Sequence, residues 1–275
     1  MSHPTQGLRQ PVLFLGHGSP MNVIEDTPFR VAWQELGTEF GAQGRWPKPK
    51  AILCISAHWT TPGWCLTGMD APRTIHDFGG FPRELFEQQY PAPGDADLAA
   101  NWAQRLHQPH DQSPVKIDLD QWGLDHGCWG VLKPMFPQAD IPVIQLSIDV
   151  HQPGSMHLAL GRQLAPLREE GVLIVASGNL VHNLMVRQPQ ASEQEAFEWA
   201  MMFDNWVCQH LASGDVERLA RPEELGALYQ KANPTPEHYL PFLYAVGARR
   251  DDEPLVTFND AWQMGSIGMR SFIWG

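Results

Sequence analysis

Four apolar runs without polar alternation stand out along this chain. Runs of this kind are typical of strands that are covered on both faces of a sheet, as in α/β proteins. The sequence therefore predicts buried strands at 11–16, 51–57, 141–149 and 172–178.

Stretches that mix apolar and polar residues lie between these runs and predict amphipathic helices. The stretch 156–171 closes on Gly171, which is expected just past the end of its helix, and the longest stretch, 193–215, ends near Gly214. The predicted helices are 29–40, 96–108, 156–171 and 193–215.

Strands that alternate with helices predict an α/β fold, with a mostly parallel central sheet covered by helices on both sides. Residues 254–275 contain one or two further strands, which we expect to be antiparallel at an edge. The chain has no repeat, low-complexity tract or linker, so we predict one catalytic domain over 1–275, with a polar tail at 1–10.

The chain is acidic, with 19 Lys and Arg against 31 Asp and Glu over 275 residues. It has no basic run, which argues against nucleic acid or an anionic membrane surface as a partner. No stretch is apolar for long enough to span a bilayer, and the N-terminal residues lack a signal-peptide core. The four cysteines form no C-x-x-C pair and Cys54 lies in a predicted strand, so we expect reduced thiols and a cytoplasmic location.

Three of the predicted strands each deliver a histidine at or just past the carboxyl end: His17, His58 and His182. Ligands of open α/β sheets bind beyond the carboxyl ends of the strands, so these side chains meet in one crevice if the strands are neighbours. A single histidine after a strand is usually structural, but three at matching ends favour a shared metal or catalytic site. The glycines beside His17 are expected to let the backbone approach a ligand closely.

Other histidines are weaker candidates. His238 follows Thr235 and Pro236, which have the pattern of an N-cap and a first helical residue, so we expect it in the first turn of a helix. His126 lies in a Gly- and Trp-rich loop, and the loop 74–82 has a similar mixture of polar and aromatic residues, as a pocket for an aromatic ligand has. We expect the remaining histidines to be solvated: His3, His107, His110, His151, His157 and His210.

Eight motifs are spread from residue 13 to near residue 247: LFLGHGSPMNVIED, SAHWTTPG, TIHDFGGFP, YPAPGD, WGLDHGCWGVL, PVIQLSID, ASGNLVHNL and NPTPEHYLPFLYAVGA. Together they resemble the 4,5-DOPA extradiol dioxygenase family. That family belongs to the class III extradiol ring-cleavage dioxygenases, in which the catalytic subunit of protocatechuate 4,5-dioxygenase is a distant relative.

The resemblance implies an α/β fold with a non-haem metal ion at the carboxyl ends of the strands. It implies His17, His58 and His238 as the metal ligands. His182, which the strand pattern alone would make the third ligand, is implied as the acid/base residue, with a fourth metal ligand as its alternative role. His126 is implied to lie near the substrate or dioxygen.

The implied reaction opens a catechol ring beside its hydroxyls with both atoms of dioxygen. The expected partners are therefore a small catecholic substrate and O₂. Fe(II) is the cofactor expected for activity, and Zn(II) is expected to occupy the site in purified protein because it binds imidazole more tightly. The sequence specifies neither the physiological catechol nor an oligomeric state.

Two other functions stay open at the level of the sequence. Three histidines and a water molecule form a recognised catalytic zinc site, so the residues alone rank a zinc-dependent hydrolase level with an oxygenase. A non-catalytic binding protein of the same fold is the third possibility, although a complete set of metal-type histidines argues against it.

Overall fold

The computed structural model describes residues 9–275. Residues 1–8, most of the predicted polar tail 1–10, lie outside the described residues. At the end of that tail Gln10 is buried, and its backbone N–H donates to the carbonyl of Arg168 at 3.0 Å. Gln10 therefore belongs to the packed fold and not to a solvated tail.

The described residues form ten strands and nine α-helices. The strands are β1 (Val12–Gly16), β2 (Ala51–Ser56), β3 (Cys65–Thr67), β4 (Lys116–Asp118), β5 (Val143–Gln145), β6 (Val172–Gly178), β7 (Leu255–Phe258), β8 (Trp262–Gln263), β9 (Ile267–Gly268) and β10 (Ser271–Trp274). The helices are α1 (Pro28–Thr38), α2 (Arg83–Phe86), α3 (Ala96–Arg105), α4 (His126–Met135), α5 (Gly154–Glu169), α6 (Glu198–Ser213), α7 (Val216–Leu219), α8 (Ala227–Ala232) and α9 (Leu240–Ala248).

The central sheet has six strands in the order β5-β2-β6-β1-β10-β7. The four strands predicted from the apolar runs are parallel to one another and occupy one side of the sheet. β10 and β7 add to β1 in antiparallel orientation, with β7 at the edge. The predicted fold class is confirmed, including the antiparallel strands near the chain end.

Each face of the sheet has its own apolar core, because successive side chains of a strand point to opposite faces. Val12 and Phe14 of β1 pack into the core that contains α5 and α9, whereas Leu13 and Leu15 pack into the core that contains α1 and α4. This two-sided burial explains why the strands have no polar alternation. None of the helices in residues 9–275 is long and apolar enough to cross a bilayer.

The carboxyl ends of β1, β2 and β6 are level with one another. Gly16 pairs with Gly178, and Ser56 pairs with Ser177. One residue further on, the backbone N–H of His17 donates to the carbonyl of Gly178 at 3.1 Å. The strands that carry the three histidines are therefore direct neighbours, as the shared crevice requires.

The helix that follows His238 begins later than predicted. It starts at Leu240, and residues 236–239 form a turn in which the N–H groups of Tyr239 and Leu240 both donate to the Pro236 carbonyl. The carbonyl of His238 accepts from the backbone N–H of Asn179 at 2.8 Å. Asn179 follows β6 directly, so this hydrogen bond takes the carbonyl out of the helical ladder and holds His238 against the end of the sheet.

Candidate active site

His17 follows β1 directly, and its ring is buried. Its Nδ1 lies 3.0 Å from Oγ of Ser177. The Ser177 hydroxyl donates its own proton to the carbonyl of Gly127 at 2.5 Å, so it can only accept from His17. The neutral ring is therefore held with its proton on Nδ1, and Nε2 keeps a lone pair.

His58 lies in the turn just beyond β2. Its Nδ1 is 3.1 Å from Oδ2 of Asp77, so this nitrogen carries a proton that the carboxylate accepts. Its Nε2 is 3.2 Å from Nε2 of His17. Two lone pairs that face each other at this distance repel, so the arrangement requires a proton or a cation between the rings.

His238 reaches the same place from the turn before α9. Its Nδ1 lies 3.2 Å from Oδ1 of Asn179. The amide nitrogen of Asn179 donates to the carbonyl of Gly268 at 2.8 Å, which identifies Oδ1 as the acceptor. His238 therefore also has its proton on Nδ1 and a free lone pair on Nε2.

These three histidines fit one metal ion. Their ligand atoms all lie within 4.8 Å of one another. The ring centroids of His17, His58 and His238 are 5.1, 5.0 and 5.1 Å apart in the three pairs. Metal–imidazole bonds are about 2.1 Å long, so two ligands at a right angle stand about 3 Å apart, close to the His17–His58 separation. Each ring also has the outer hydrogen-bond acceptor that metal-binding histidines usually have.

His182 comes four residues after β6 and lies beside this group. Its ring stacks on that of His238, with centroids 3.4 Å apart and an angle of 6° between the planes. Its backbone N–H donates to the carbonyl of Ala232 at 2.9 Å. His182 is outside the group whose ligand atoms lie within 4.8 Å, so the strand pattern alone misplaced it as the third member.

His126 is the first residue of α4 and packs against His58, with ring centroids 3.9 Å apart. Its backbone N–H and its ring Nδ1–H both point at one carboxylate, that of Asp77. Its backbone N–H donates to Oδ1 of Asp77 at 2.9 Å, and its Nδ1 donates to Oδ2 at 2.9 Å. Asp77 therefore joins His126 to His58.

The charges in this cluster are unevenly distributed. Burial, followed by the neighbouring histidines, holds the pKa values of His17 and His238 well below the usual range. Burial, with smaller effects from His58 and His126, lowers the pKa of His182 to about 4. His58 differs because, although burial opposes its charge, the hydrogen bond to Asp77 raises its pKa. At neutral pH the cluster thus contains mostly neutral imidazoles beside one ionised carboxylate.

Sequence reasoning missed the groups that orient the rings. Asp77 counted only as part of a polar and aromatic loop, and Ser177 and Asn179 were not singled out. Their one signal in the sequence is their position within the motifs TIHDFGGFP and ASGNLVHNL. Nothing in a hydrophobic pattern indicates which polar residue accepts from which ring.

The glycines beside His17 have a structural reason of their own, and one expectation about another histidine was wrong. A Cβ on Gly16 would lie 2.5 Å from the backbone oxygen of Met269, and Gly18 has a φ of +58°. His157 is not solvated but fully buried. Its Nδ1 lies 2.8 Å from the hydroxyl of Tyr244, on the face of the sheet covered by α5 and α9.

The chain is similar to several known proteins. Residues 11–267 match the family described as the catalytic LigB subunit of aromatic ring-opening dioxygenase. The chain is 47% identical to 4,5-DOPA dioxygenase extradiol from Escherichia coli K12, over 96% of this chain and 94% of the relative. It is 38% identical to the protein of that name from Beta vulgaris, over 94% of each chain. An uncharacterised E. coli K12 protein of known crystal structure superposes with a TM-score of 0.79 at 40% identity, covering 97% of this chain and all of that one (100%).

Proposed function

Because this chain belongs to the family of catalytic LigB subunits of aromatic ring-opening dioxygenases and is an extradiol ring-cleavage dioxygenase, we propose that its reaction takes place at the histidine cluster. The observation that carries this proposal is the convergence of His17, His58 and His238, each with Nδ1 bonded outward. Such a set binds a divalent metal and leaves positions free for substrate and O₂.

His17, His58 and His238 would hold the metal ion. When bound, Fe(II) would supply the redox chemistry that joins dioxygen to the ring. Because all three ligands are neutral imidazoles, they leave the ion its full positive charge, which favours an anionic catecholate as substrate. Zn(II) would compete for the same nitrogens, since imidazole ligands favour it over iron.

His182 would act as the acid/base residue. Its ring stacks on a metal ligand, and its low pKa of about 4 keeps it neutral at pH 7 and able to accept a catechol proton. His126 would assist as a hydrogen-bond donor to oxygen. Since Asp77 accepts its Nδ1 proton, Nε2 is the ring nitrogen left for this donation. Burial lowers the pKa of His126 despite the neighbouring carboxylate, so Nε2 would donate only after it has taken up a proton released by the catechol.

The substrate would be a DOPA-like catechol, and Phe78 offers it an aromatic wall. The ring of Phe78 lies 5.5 Å from that of His126 at an angle of 82°, next to Phe81 and Phe86. Edge-to-face and offset contacts with such rings favour a flat aromatic ligand.

All four cysteines are free thiols, which supports a reducing, cytoplasmic location for this enzyme.

The decisive test is anaerobic loading with Fe(II), followed by a catechol and air. We expect oxygen uptake and a yellow ring-opened product with at least one of DOPA, caffeate, protocatechuate and catechol. The zinc-loaded protein is the matched control and should do neither. Hydrolysis of ester or amide substrates by the zinc form, without oxygen uptake by the iron form, would replace this proposal with a hydrolase.

A further inference from the structure

We propose that Asp77 is a positioning residue that holds His58 and His126 as one unit, so that a single carboxylate sets the geometry of a metal ligand and of a substrate-side histidine together. This inference rests on the proposed function for the roles of the two histidines. Asp77 lies within one of the motifs that carry the resemblance, but neither the strand pattern nor the resemblance assigned it a role.

The hydrogen bonds around Asp77 use both of its oxygens as acceptors. Oδ2 accepts from Nδ1 of His58 at 3.1 Å and from Nδ1 of His126 at 2.9 Å. Oδ1 accepts from the backbone N–H of His126 at 2.9 Å. Three donors converge on this side chain, and only an ionised carboxylate accepts at both ends.

The shared oxygen makes the two rings interdependent. They lie 3.9 Å apart between centroids with 52° between their planes. Nδ1 of each ring is bonded to Oδ2, so Nε2 is the only ring nitrogen of each histidine that is left for other partners. A displacement of Asp77 would therefore rotate the metal ligand and the substrate-side histidine at the same time.

The loop that carries Asp77 is hydrogen-bonded to helix α4 and to the residues just before it. The backbone N–H of Ile75 donates to the carbonyl of Leu124 at 2.7 Å, and Nε1 of Trp129 donates to the carbonyl of Ile75 at 2.8 Å. Nε2 of His76 bonds the carbonyl of Gln88 at 2.8 Å. These contacts fix the backbone beside Asp77, so its carboxylate is a rigid reference point for both rings.

The variant Asp77→Asn keeps the shape of the side chain but replaces one of its two acceptor oxygens with an NH₂ donor. Its amide group must face either the backbone N–H of His126 or the two ring N–H groups, so donor meets donor in both orientations. We expect metal binding to weaken about 10- to 100-fold, as is typical when the outer partner of a histidine ligand is lost. With saturating Fe(II) we expect kcat still to fall by at least about 10-fold, because His126 is displaced as well.

Asp149→Asn is the matched control. Asp149 is also a buried acceptor of backbone N–H groups, from Gly63 at 2.9 Å and His151 at 3.1 Å, and it does not touch the cluster. Both variants and the unaltered protein are compared by Co(II) titration, by the visible spectrum of the Co(II) form and by kcat and KM. The cobalt spectrum reports the geometry of the metal ligands directly. A general loss of stability lowers the folded fraction but does not change the spectrum of the molecules that remain folded.

A changed cobalt spectrum and weaker metal binding in Asp77→Asn alone support the proposal. Equal affinities and spectra in Asp77→Asn and Asp149→Asn overturn it.

If Asp77→Asn does not fold, Asp77→Ala is measured by the same criteria, with added formate as a replacement carboxylate that should restore part of the affinity. No restoration would count against a positioning role. If no catechol is cleaved by the unaltered protein, the proposed function fails, while the cobalt comparison still decides the role of Asp77.

Discussion

His182 stacks face to face on His238, with ring centroids 3.4 Å apart. The two histidines come from different elements: one follows β6, and the other precedes α9. Their backbones are fixed near each other because Asn179 bonds the carbonyl of His238 and also the Nδ1 of its ring. The contact places an acid/base candidate against a metal-ligand candidate without making it part of the ligand group.

Replacement of His182 separates these two roles. We expect His182→Phe, which keeps a flat ring on His238, to bind metal within a few-fold of the unaltered protein. Its kcat should fall about 10²- to 10⁴-fold, the usual contribution of a general acid/base residue. Metal content and ring cleavage are measured separately, with His182→Ala in parallel. Retained turnover in His182→Phe would contradict the acid/base role.

Removal of the Ser177 hydroxyl tests the orientation of His17. In Ser177→Ala the buried Nδ1–H of His17 loses its acceptor, so we expect about 10-fold weaker metal binding and a loss of about 1–3 kcal/mol in the free energy of unfolding. Ser147→Ala is the control, since Ser147 is fully buried and accepts from the backbone N–H of Cys65. If both variants bind metal equally well, Ser177 does not orient the ligand.

Phe78 is expected to contribute to substrate binding and not to metal binding. Aromatic contacts are worth about 0.5–1.5 kcal/mol, so Phe78→Ala should raise KM about 2- to 10-fold with metal content unchanged. Phe40→Ala is the control because Phe40 packs on Trp46 and Phe136 instead. A KM that does not change with any cleaved catechol would remove Phe78 from the substrate site.

His157 makes the stability of the fold depend on pH. Burial lowers its pKa to about 4 from 6.5. Between these pH values the unfolded chain binds more protons than the folded chain, so stability falls as the pH falls and is fully present above about pH 6.5. The full difference is about 3 kcal/mol. Denaturant unfolding at pH 7 and pH 4.5 should show a smaller drop for His157→Gln than for the unaltered protein. Equal drops would exclude His157 as a source of acid sensitivity.

The buried ion pair of Arg168 and Glu253 links α5 to the chain before β1 and to the end of α9. The guanidinium donates to the carbonyls of Gln10 and Ala248 at 2.9 and 2.8 Å, and to Glu253. Arg168→Met should cost about 3–5 kcal/mol, because it leaves a buried carboxylate without its partner. We expect Arg168→Met with Glu253→Gln to recover part of this loss in denaturant unfolding, with metal binding unchanged throughout. A double variant less stable than Arg168→Met would contradict this account.

The predicted secondary structure was most accurate where burial is two-sided. The apolar runs at β1, β2 and β6 identified the strands, since only a strand covered on both faces has no polar alternation. Helix ends marked by glycine were also predictable: Gly171 and Gly214 have φ values of +92° and +74° just after α5 and α6. The start of α9 was not, because a contact to a distant strand end decides it.

The sequence by itself therefore determined the parallel sheet and the placement of His17 and His58 at the ends of its strands, since the strands and their ends follow from local pattern. The order of the strands, which makes them neighbours, was decided by the tertiary structure. The family motifs added His238 to this pair. Only the tertiary structure decided that His182 stacks on His238, that Asp77 joins His58 to His126, and that His157 is buried. Those relationships depend on hydrogen bonds and ring contacts between residues from different elements, often far apart in the chain, which no local pattern encodes.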